Sequence, residues 1–286
     1  MAKLAAVLAT THHPFYLKAT TAPVEQQIPQ AAEWKRKVEA YRETLTKAEP
    51  ELLVMVGADH FHQFFLDNYP QFLIGKAPRY DATFYNEERE FGIPKYVLEG
   101  HEDLSNFMHK GLLARGFDFA FSNELKLDHS IICPIITTRP QADLPVVPIY
   151  TNIFAPPLPS PERFWDLGRA IREIIDEYPS DKRIAAIGSG HLSLELGGPR
   201  QFRETGPDPE FDRQAIEWLS TGNIEAILAN VTHESMARSG NATHGFMDLI
   251  LMMGIAGPIP AAYSDSLSLF HTMEAYITWY PEGAAQ

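Results

Sequence analysis

The chain has 286 residues, of which 45% are hydrophobic and 21% are charged, a balance typical of a globular protein with room for one large α/β domain. Its formal net charge of −13 argues against nucleic acid or an anionic membrane as the main partner, because both bind basic surfaces. The single cysteine, Cys133, excludes an internal disulfide, and we find neither a leader peptide nor an apolar run of ~18 residues. These features predict a cytoplasmic protein that binds neither nucleic acid nor membrane.

Three apolar runs are each predicted to form a buried β-strand that delivers a histidine to its carboxyl end. Residues 4–9 precede His12, residues 52–57 precede His60, and residues 183–188 precede His191. In open α/β sheets, ligands collect at this edge. Neutral imidazole binds iron, zinc, copper and nickel, so three such placements among only 11 histidines favour a mononuclear transition-metal site.

The remaining segments alternate between helix and strand, which is typical of βαβ units. The pattern predicts helices over residues 31–47, 103–115, 161–178, 208–221, 223–238 and 242–253, and further strands over residues 71–75, 118–121, 144–150 and 273–279. Residues 76–94 are predicted to form a long loop of the kind that often acts as a lid. Without a repeat or a linker, residues 1–286 are predicted to form a single domain with a central mixed sheet flanked by helices.

Two further histidines are candidates for the site. His129 follows Leu127-Asp128 at a turn, and His244 opens the helix over residues 242–253. His129 and His191 could each be a ligand, a general acid or base, or a packed loop residue. His244 could either bind the metal or cap the start of this helix. The other candidates, predicted to lie on the surface or to pack, are His62, His101, His109, His233 and His271.

These residues together resemble the type III extradiol ring-cleaving dioxygenases, of the kind represented by the protocatechuate 4,5-dioxygenase β subunit. The resemblance covers most of the chain and rests on the order and spacing of several motifs, namely Thr10-Thr11-His12-His13-Pro14, Asp59-His60, Leu127-Asp128-His129, Gly188-Ser189-Gly190-His191-Leu192-Ser193, Gly197-Gly198-Pro199-Arg200 and Gly240-Asn241. That family holds Fe(II) with two histidines and one glutamate, leaving open positions for substrate and O₂. The resemblance implies that His12 and His60 are the histidine ligands and that His129 lies near the substrate.

The chain departs from this family at two positions. By gapless spacing to Gly254, the family's glutamate ligand falls at Gly245, and its acid/base histidine falls at Leu194. The adjacent His244 is predicted as the third ligand, because the related DOPA extradiol dioxygenases carry a histidine near this point. His191 is predicted to act with His129 as catalytic acid or base.

Several other side chains are weaker candidates. Asp248, Glu234 and Glu195 are further options for filling these two positions. Asp59, which adjoins His60, is a candidate for orienting that ligand. Arg200 is predicted to contact the substrate, because its guanidinium fork suits a carboxylate. His13, which adjoins His12, is a second candidate for substrate contact.

The resemblance implies a non-haem Fe(II)-dependent extradiol dioxygenase that opens the ring of a catecholic substrate with O₂. Zinc or manganese are the other metals considered for the site. One alternative is a non-catalytic scaffold subunit with a degenerate metal site, and another is a Zn-dependent hydrolase that uses a bound water. The family also implies a homo-oligomer and leaves room for a small partner subunit.

Overall fold

The computed structural model describes residues 1–270 and 272–281, so His271, predicted to be a surface or packing residue, lies outside the described residues. The strands within this part of the chain are β1 (Lys3–Thr11), β2 (Leu52–Gly57), β3 (Phe72–Gly75), β4 (Arg79–Ala82), β5 (Tyr96–Glu99), β6 (Ala120–Ser122), β7 (Val146–Thr151), β8 (Arg183–Gly190), β9 (Tyr263–Leu269) and β10 (Thr272–Trp279). The helices are α1 (Phe15–Thr21), α2 (Ala31–Ala48), α3 (Tyr85–Phe91), α4 (Glu102–Ala114), α5 (His129–Thr138), α6 (Pro161–Glu177), α7 (Pro209–Thr221), α8 (Ile224–Asn230), α9 (His233–Ser239) and α10 (Phe246–Ala256). Two single-turn 3₁₀ helices cover Val24–Gln26 and Thr243–Gly245.

A mixed sheet of eight strands lies at the centre, in the order β6-β3-β7-β2-β8-β1-β10-β9. The four middle strands, β7, β2, β8 and β1, run parallel, whereas β10 and β9 extend the sheet in antiparallel fashion. The short β4 and β5 form a separate antiparallel pair. This architecture confirms the predicted α/β fold with a central mixed sheet flanked by helices.

The middle strands are buried on both faces, which explains why their sequences read as continuous apolar runs. One face packs against residues of α1, α2 and α5, and the other against residues of α4, α6 and α10. Between parallel strands the register pairs Thr11 with Gly190 and Val56 with Gly188. The carboxyl ends of β1, β2 and β8 therefore meet at one edge, as the predicted site requires.

Some segments differ from their predictions. Residues 76–94, predicted as one long loop, contain β4 and α3. The prediction of one helix over residues 223–238 is wrong, because α8 ends at Asn230 and Thr232 caps α9 as a separate helix. No helix in the described residues is long and apolar enough to cross a membrane. The organisation of residues 1–286 as one domain stays a prediction.

Candidate metal centre

Three histidines converge where β1, β2 and β8 end. The potential ligand atoms of His12, His60 and His191 all lie within 4.8 Å of one another. The Nε2 atoms of His12 and His60 are 3.3 Å apart, and the ring centroids of His12 and His191 are 4.1 Å apart. His12 and His191 are buried, and His60 is half-buried. The structure thus brings together the three histidines that follow apolar strands in the sequence.

The surroundings keep these imidazoles neutral. Burial lowers the pKa of His12 and of His191 well below the ordinary value, and the neighbouring imidazoles lower both further. Burial and His129 also lower the pKa of His60, although Asp128 opposes this shift. Neutral imidazole with a free lone pair is the form that binds a metal. Three such nitrogens within 4.8 Å of one another are a donor set that fits a divalent transition metal.

Asp128 orients His60. The Oδ2 atom of Asp128 accepts hydrogen bonds from Nδ1 of His60 at 2.9 Å and from its backbone nitrogen at 3.0 Å. Burial alone would raise the pKa of Asp128, but His60, His62 and His129 hold it well below the ordinary value, so the carboxylate stays charged. Because the Nδ1 proton is used here, Nε2 of His60 is left as the lone-pair donor that faces His12.

Glu87 holds His129 in the same manner. Its Oε1 atom accepts hydrogen bonds from Nδ1 of His129 at 2.7 Å and from the backbone nitrogen of His129 at 2.7 Å. Glu87 is fully buried on α3, and the ring of His129 lies with its centroid 4.0 Å from that of His60. His62, Glu87, Asp128 and His129 form a second group of closely spaced ligand atoms. The hydrogen bond between Asp128 and His60 joins this second group to the first. The carboxylates of Asp128 and Glu87 orient His60 and His129.

His244 lies apart from both groups. Its half-buried ring stacks on that of His233, with the centroids 5.5 Å apart, and neither group found among the described residues includes it. The space beside the missing glutamate is filled instead by His191, because a Cβ atom at Gly245 would lie only 2.8 Å from Cδ2 of His191. The structure therefore places His191, and not His244, in the group of closely spaced ligand atoms with His12 and His60.

The carboxylates considered as further ligands also have other contacts. Asp248 is fully buried and accepts a hydrogen bond from Thr151 at 2.6 Å, and burial raises its pKa to about 7. Glu234 is exposed and pairs with Arg238 on the surface. Asp59, considered for orienting His60, instead accepts from the backbone nitrogens of residues 62–64. The group of three histidines contains none of them.

The predicted substrate contacts differ in their surroundings. His13, the chain neighbour of His12, lines a cavity together with Leu194. Arg200 is engaged elsewhere, because its side chain donates to the carboxylate of Glu195 and to the carbonyl of Arg238. Its fork is therefore already paired with a carboxylate of the protein.

Sequence reasoning missed the two orienting carboxylates. Asp128 carried a signal, since it directly precedes His129 in one of the motifs. Glu87 carried none, because it stands among several acids in a segment without clear periodicity and meets His129 only through the fold.

Comparisons with known proteins agree with this geometry. Residues 6–277 match the family described as the catalytic LigB subunit of aromatic ring-opening dioxygenase. A 2,3-dihydroxyphenylpropionate/2,3-dihydroxicinnamic acid 1,2-dioxygenase of Burkholderia vietnamiensis is 33% identical over 294 residues, covering 87% of this chain and 88% of that protein. The protein of the same name from Cupriavidus necator is 24% identical over 298 residues, covering 89% and 92%. These matches confirm the resemblance inferred from the sequence and the predicted enzyme class, an extradiol ring-cleaving dioxygenase.

The fold has a counterpart among solved structures. The crystal structure of an uncharacterized protein from Escherichia coli K12 superposes with a TM-score of 0.61, covers 96% of this chain and 99% of its own, and is 16% identical in sequence. At this identity the likeness supports the fold alone.

Proposed function

The chain belongs to the family of the catalytic LigB subunit of aromatic ring-opening dioxygenases, and we propose that it is an Fe(II)-dependent enzyme that opens the ring of a substituted catechol with O₂. The observation that carries the proposal is the convergence of three neutral histidines at the carboxyl ends of β1, β2 and β8. Imidazole nitrogens suit iron, and the relatives named above act on a catechol with a three-carbon acid substituent.

In this proposal His12, His60 and His191 hold the metal. His191 takes the place of the family's glutamate, for which Gly245 leaves no side chain. Iron held there would supply open coordination positions and redox chemistry for a diol and O₂. Because all three ligands are neutral, the protein contributes one negative charge less than a site with two histidines and a carboxylate.

His129 is the residue that we assign to proton transfer. Its Nδ1 proton is held by Glu87, so the opposite nitrogen, Nε2, carries the lone pair that can accept a phenolic proton. The ring of His129 lies with its centroid 5.5 Å from that of His12 and 4.0 Å from that of His60, close enough to a diol bound between them. His191, predicted as acid or base, serves as a ligand in this proposal, so His129 performs the acid/base work.

The test combines metal analysis with oxygen uptake. We expect anaerobically purified protein to bind about one Fe(II) per chain and, once loaded, to consume O₂ with catechol or 2,3-dihydroxyphenylpropionate. His12→Ala and His60→Ala should lose both metal and uptake, whereas His129→Ala should keep the metal and lose uptake. Retention of metal by the first two variants would refute the site.

Absence of uptake by iron-loaded protein with every catechol tested would refute the enzyme and favour a non-catalytic subunit. Elemental analysis of the protein before it is loaded with iron distinguishes iron from the zinc of the hydrolase alternative. The homo-oligomeric state stays a prediction, which light scattering can test independently.

A further inference from the structure

A cavity of about 280 Å³ is lined by His13, the chain neighbour of His12. Its walls are mainly aromatic and aliphatic, formed by His13, Phe15, Leu194, Leu196, Phe202 and Phe270. For comparison, an apolar protein cavity of about 150 Å³ is large enough to bind benzene. This cavity can therefore take a ring-sized group or a short alkyl chain.

Residues of the cavity wall are close to the metal centre along the chain and through side-chain contacts. His13 directly follows the proposed ligand His12, and Leu194 comes three residues after His191. Phe15 packs against Phe91, with ring centroids 4.8 Å apart, and Phe91 lies 6.0 Å from the ring of His129. A substrate held between the histidines would consequently direct a substituent along this aromatic wall.

The charges at the cavity disfavour an anion. No lysine or arginine lines it in the described part of the chain, whereas Glu195 does. Arg200, the nearest arginine in sequence, donates from Nε to Glu195 at 2.7 Å and from Nη1 to the carbonyl of Arg238 at 2.7 Å. Hydrogen bonds from the backbone and side chain of Arg200 lower the pKa of Glu195, so its carboxylate stays ionised. A substrate carboxylate would thus meet an anion and an arginine that is already paired.

We propose that this cavity receives an uncharged, apolar substituent of the catecholic substrate. The inference rests on the proposed function and separates this chain from relatives named for an acid. Transfer of a carboxylate from water into an apolar wall is costly unless a cation compensates it, and here the charge of Arg200 is already paired with that of Glu195.

The test compares 2,3-dihydroxyphenylpropionate with its methyl ester, which lacks the negative charge and carries one additional methyl group. Their affinities for the iron-loaded protein are measured by anaerobic calorimetry, and their kcat/KM values by oxygen uptake. We expect the ester to bind on the order of tenfold more tightly than the acid and to show a correspondingly higher kcat/KM. Equal or tighter binding of the acid would overturn the inference.

Turnover of unsubstituted catechol is the control that distinguishes failure of this inference from failure of the proposed function. If neither ligand nor catechol is turned over, the enzyme proposal fails, while the difference in affinity between ester and acid still decides the inference about the cavity.

A variant at the cavity rim gives a second test. Leu196 is 49% exposed, so replacement by a charged residue there is compatible with folding. Leu196→Arg would supply an unpaired cation, and we expect it to improve binding of the acid severalfold while binding of the ester changes little. Leu196→Met, which changes no charge, should keep the preference of the wild type. An unchanged ratio in Leu196→Arg would mean that the substituent does not enter this cavity.

Discussion

Asp128→Asn is the substitution that most directly tests how the site is held. Asp128 uses its two oxygens for two purposes. Oδ1 caps α5, since it accepts from the backbone nitrogen of Ser130 at 3.0 Å and from its hydroxyl at 2.7 Å. Oδ2 accepts from the backbone nitrogen and Nδ1 of His60. Asparagine ranks with aspartate as an N-cap, so the substitution preserves the first function.

The second function is lost. With its oxygen directed at Ser130, the asparagine would point its NH₂ group at the two N–H groups of His60, where no acceptor remains. His60 must then turn its ring or move its proton to Nε2, and either change removes the lone pair that faces His12. Loss of such a supporting hydrogen bond usually reduces metal affinity 10–100-fold, which corresponds to about 1.4–2.8 kcal/mol.

The measurement is anaerobic Fe(II) titration in competition with a chromophoric chelator. Ser130→Ala is the matched control, because it removes one donor to Oδ1 and leaves Oδ2 intact, so its metal affinity should change by no more than about twofold. If Asp128→Asn binds iron as tightly as the wild type, Asp128 acts as a helix cap alone and the proposed orientation of His60 is refuted.

Further predictions address the third ligand, the base and a buried acid. His191→Ala should lose iron, whereas His244→Ala should keep it, as elemental analysis can show; the opposite pattern would restore His244 as the ligand. Glu87→Gln should lower kcat about 10–150-fold at unchanged iron content, since a hydrogen bond to a charged group contributes about 1.5–3 kcal/mol; an unchanged rate of ring opening in stopped-flow experiments would exclude this role. Burial raises the pKa of Glu274 to about 8, so the folded protein retains a proton that the unfolded chain releases above its ordinary pKa of about 4.3. The free energy of unfolding should therefore fall as pH rises from about 4.3 to 8, and urea denaturation should show a smaller fall in Glu274→Gln; an equal fall would contradict this assignment.

The sequence predicted the sheet and the three converging histidines because both depend on local pattern. A buried parallel strand is a short apolar run, and its end is where the run stops. In contrast, β9 carries three serines and an aspartate and becomes a strand by pairing with β10, so its sequence gives little local signal. Likewise α5 contains Pro134 and several β-branched residues, which hid a helix that Asp128 caps.

The site was predicted less completely, because its missing parts depend on contacts between distant segments. Glu87 and His129 are 42 residues apart in the chain, and the fold brings them into hydrogen-bond contact. Spacing within one helix suggested His244, but it could not show that His191 arrives from β8 to fill the space beside Gly245. Leu194 stands where the family has its acid/base histidine, and only the structure shows that it forms part of the cavity wall.

Gly245 is the residue through which this exchange of ligands can be tested. Its backbone is helical, with φ −58° and ψ −17°, so alanine is allowed there conformationally. However, an added Cβ atom would lie 2.8 Å from both Cδ2 and the backbone nitrogen of His191, which must then move. We expect Gly245→Ala to lower both thermal stability and iron affinity. Gly254→Ala is the control, since its Cβ atom would meet the carbonyl of Trp165 at 2.5 Å, away from the histidines, and should lower stability alone. Equal iron affinity in the two variants would show that His191 does not need the space that Gly245 leaves, and would remove the argument that it replaces the family's glutamate.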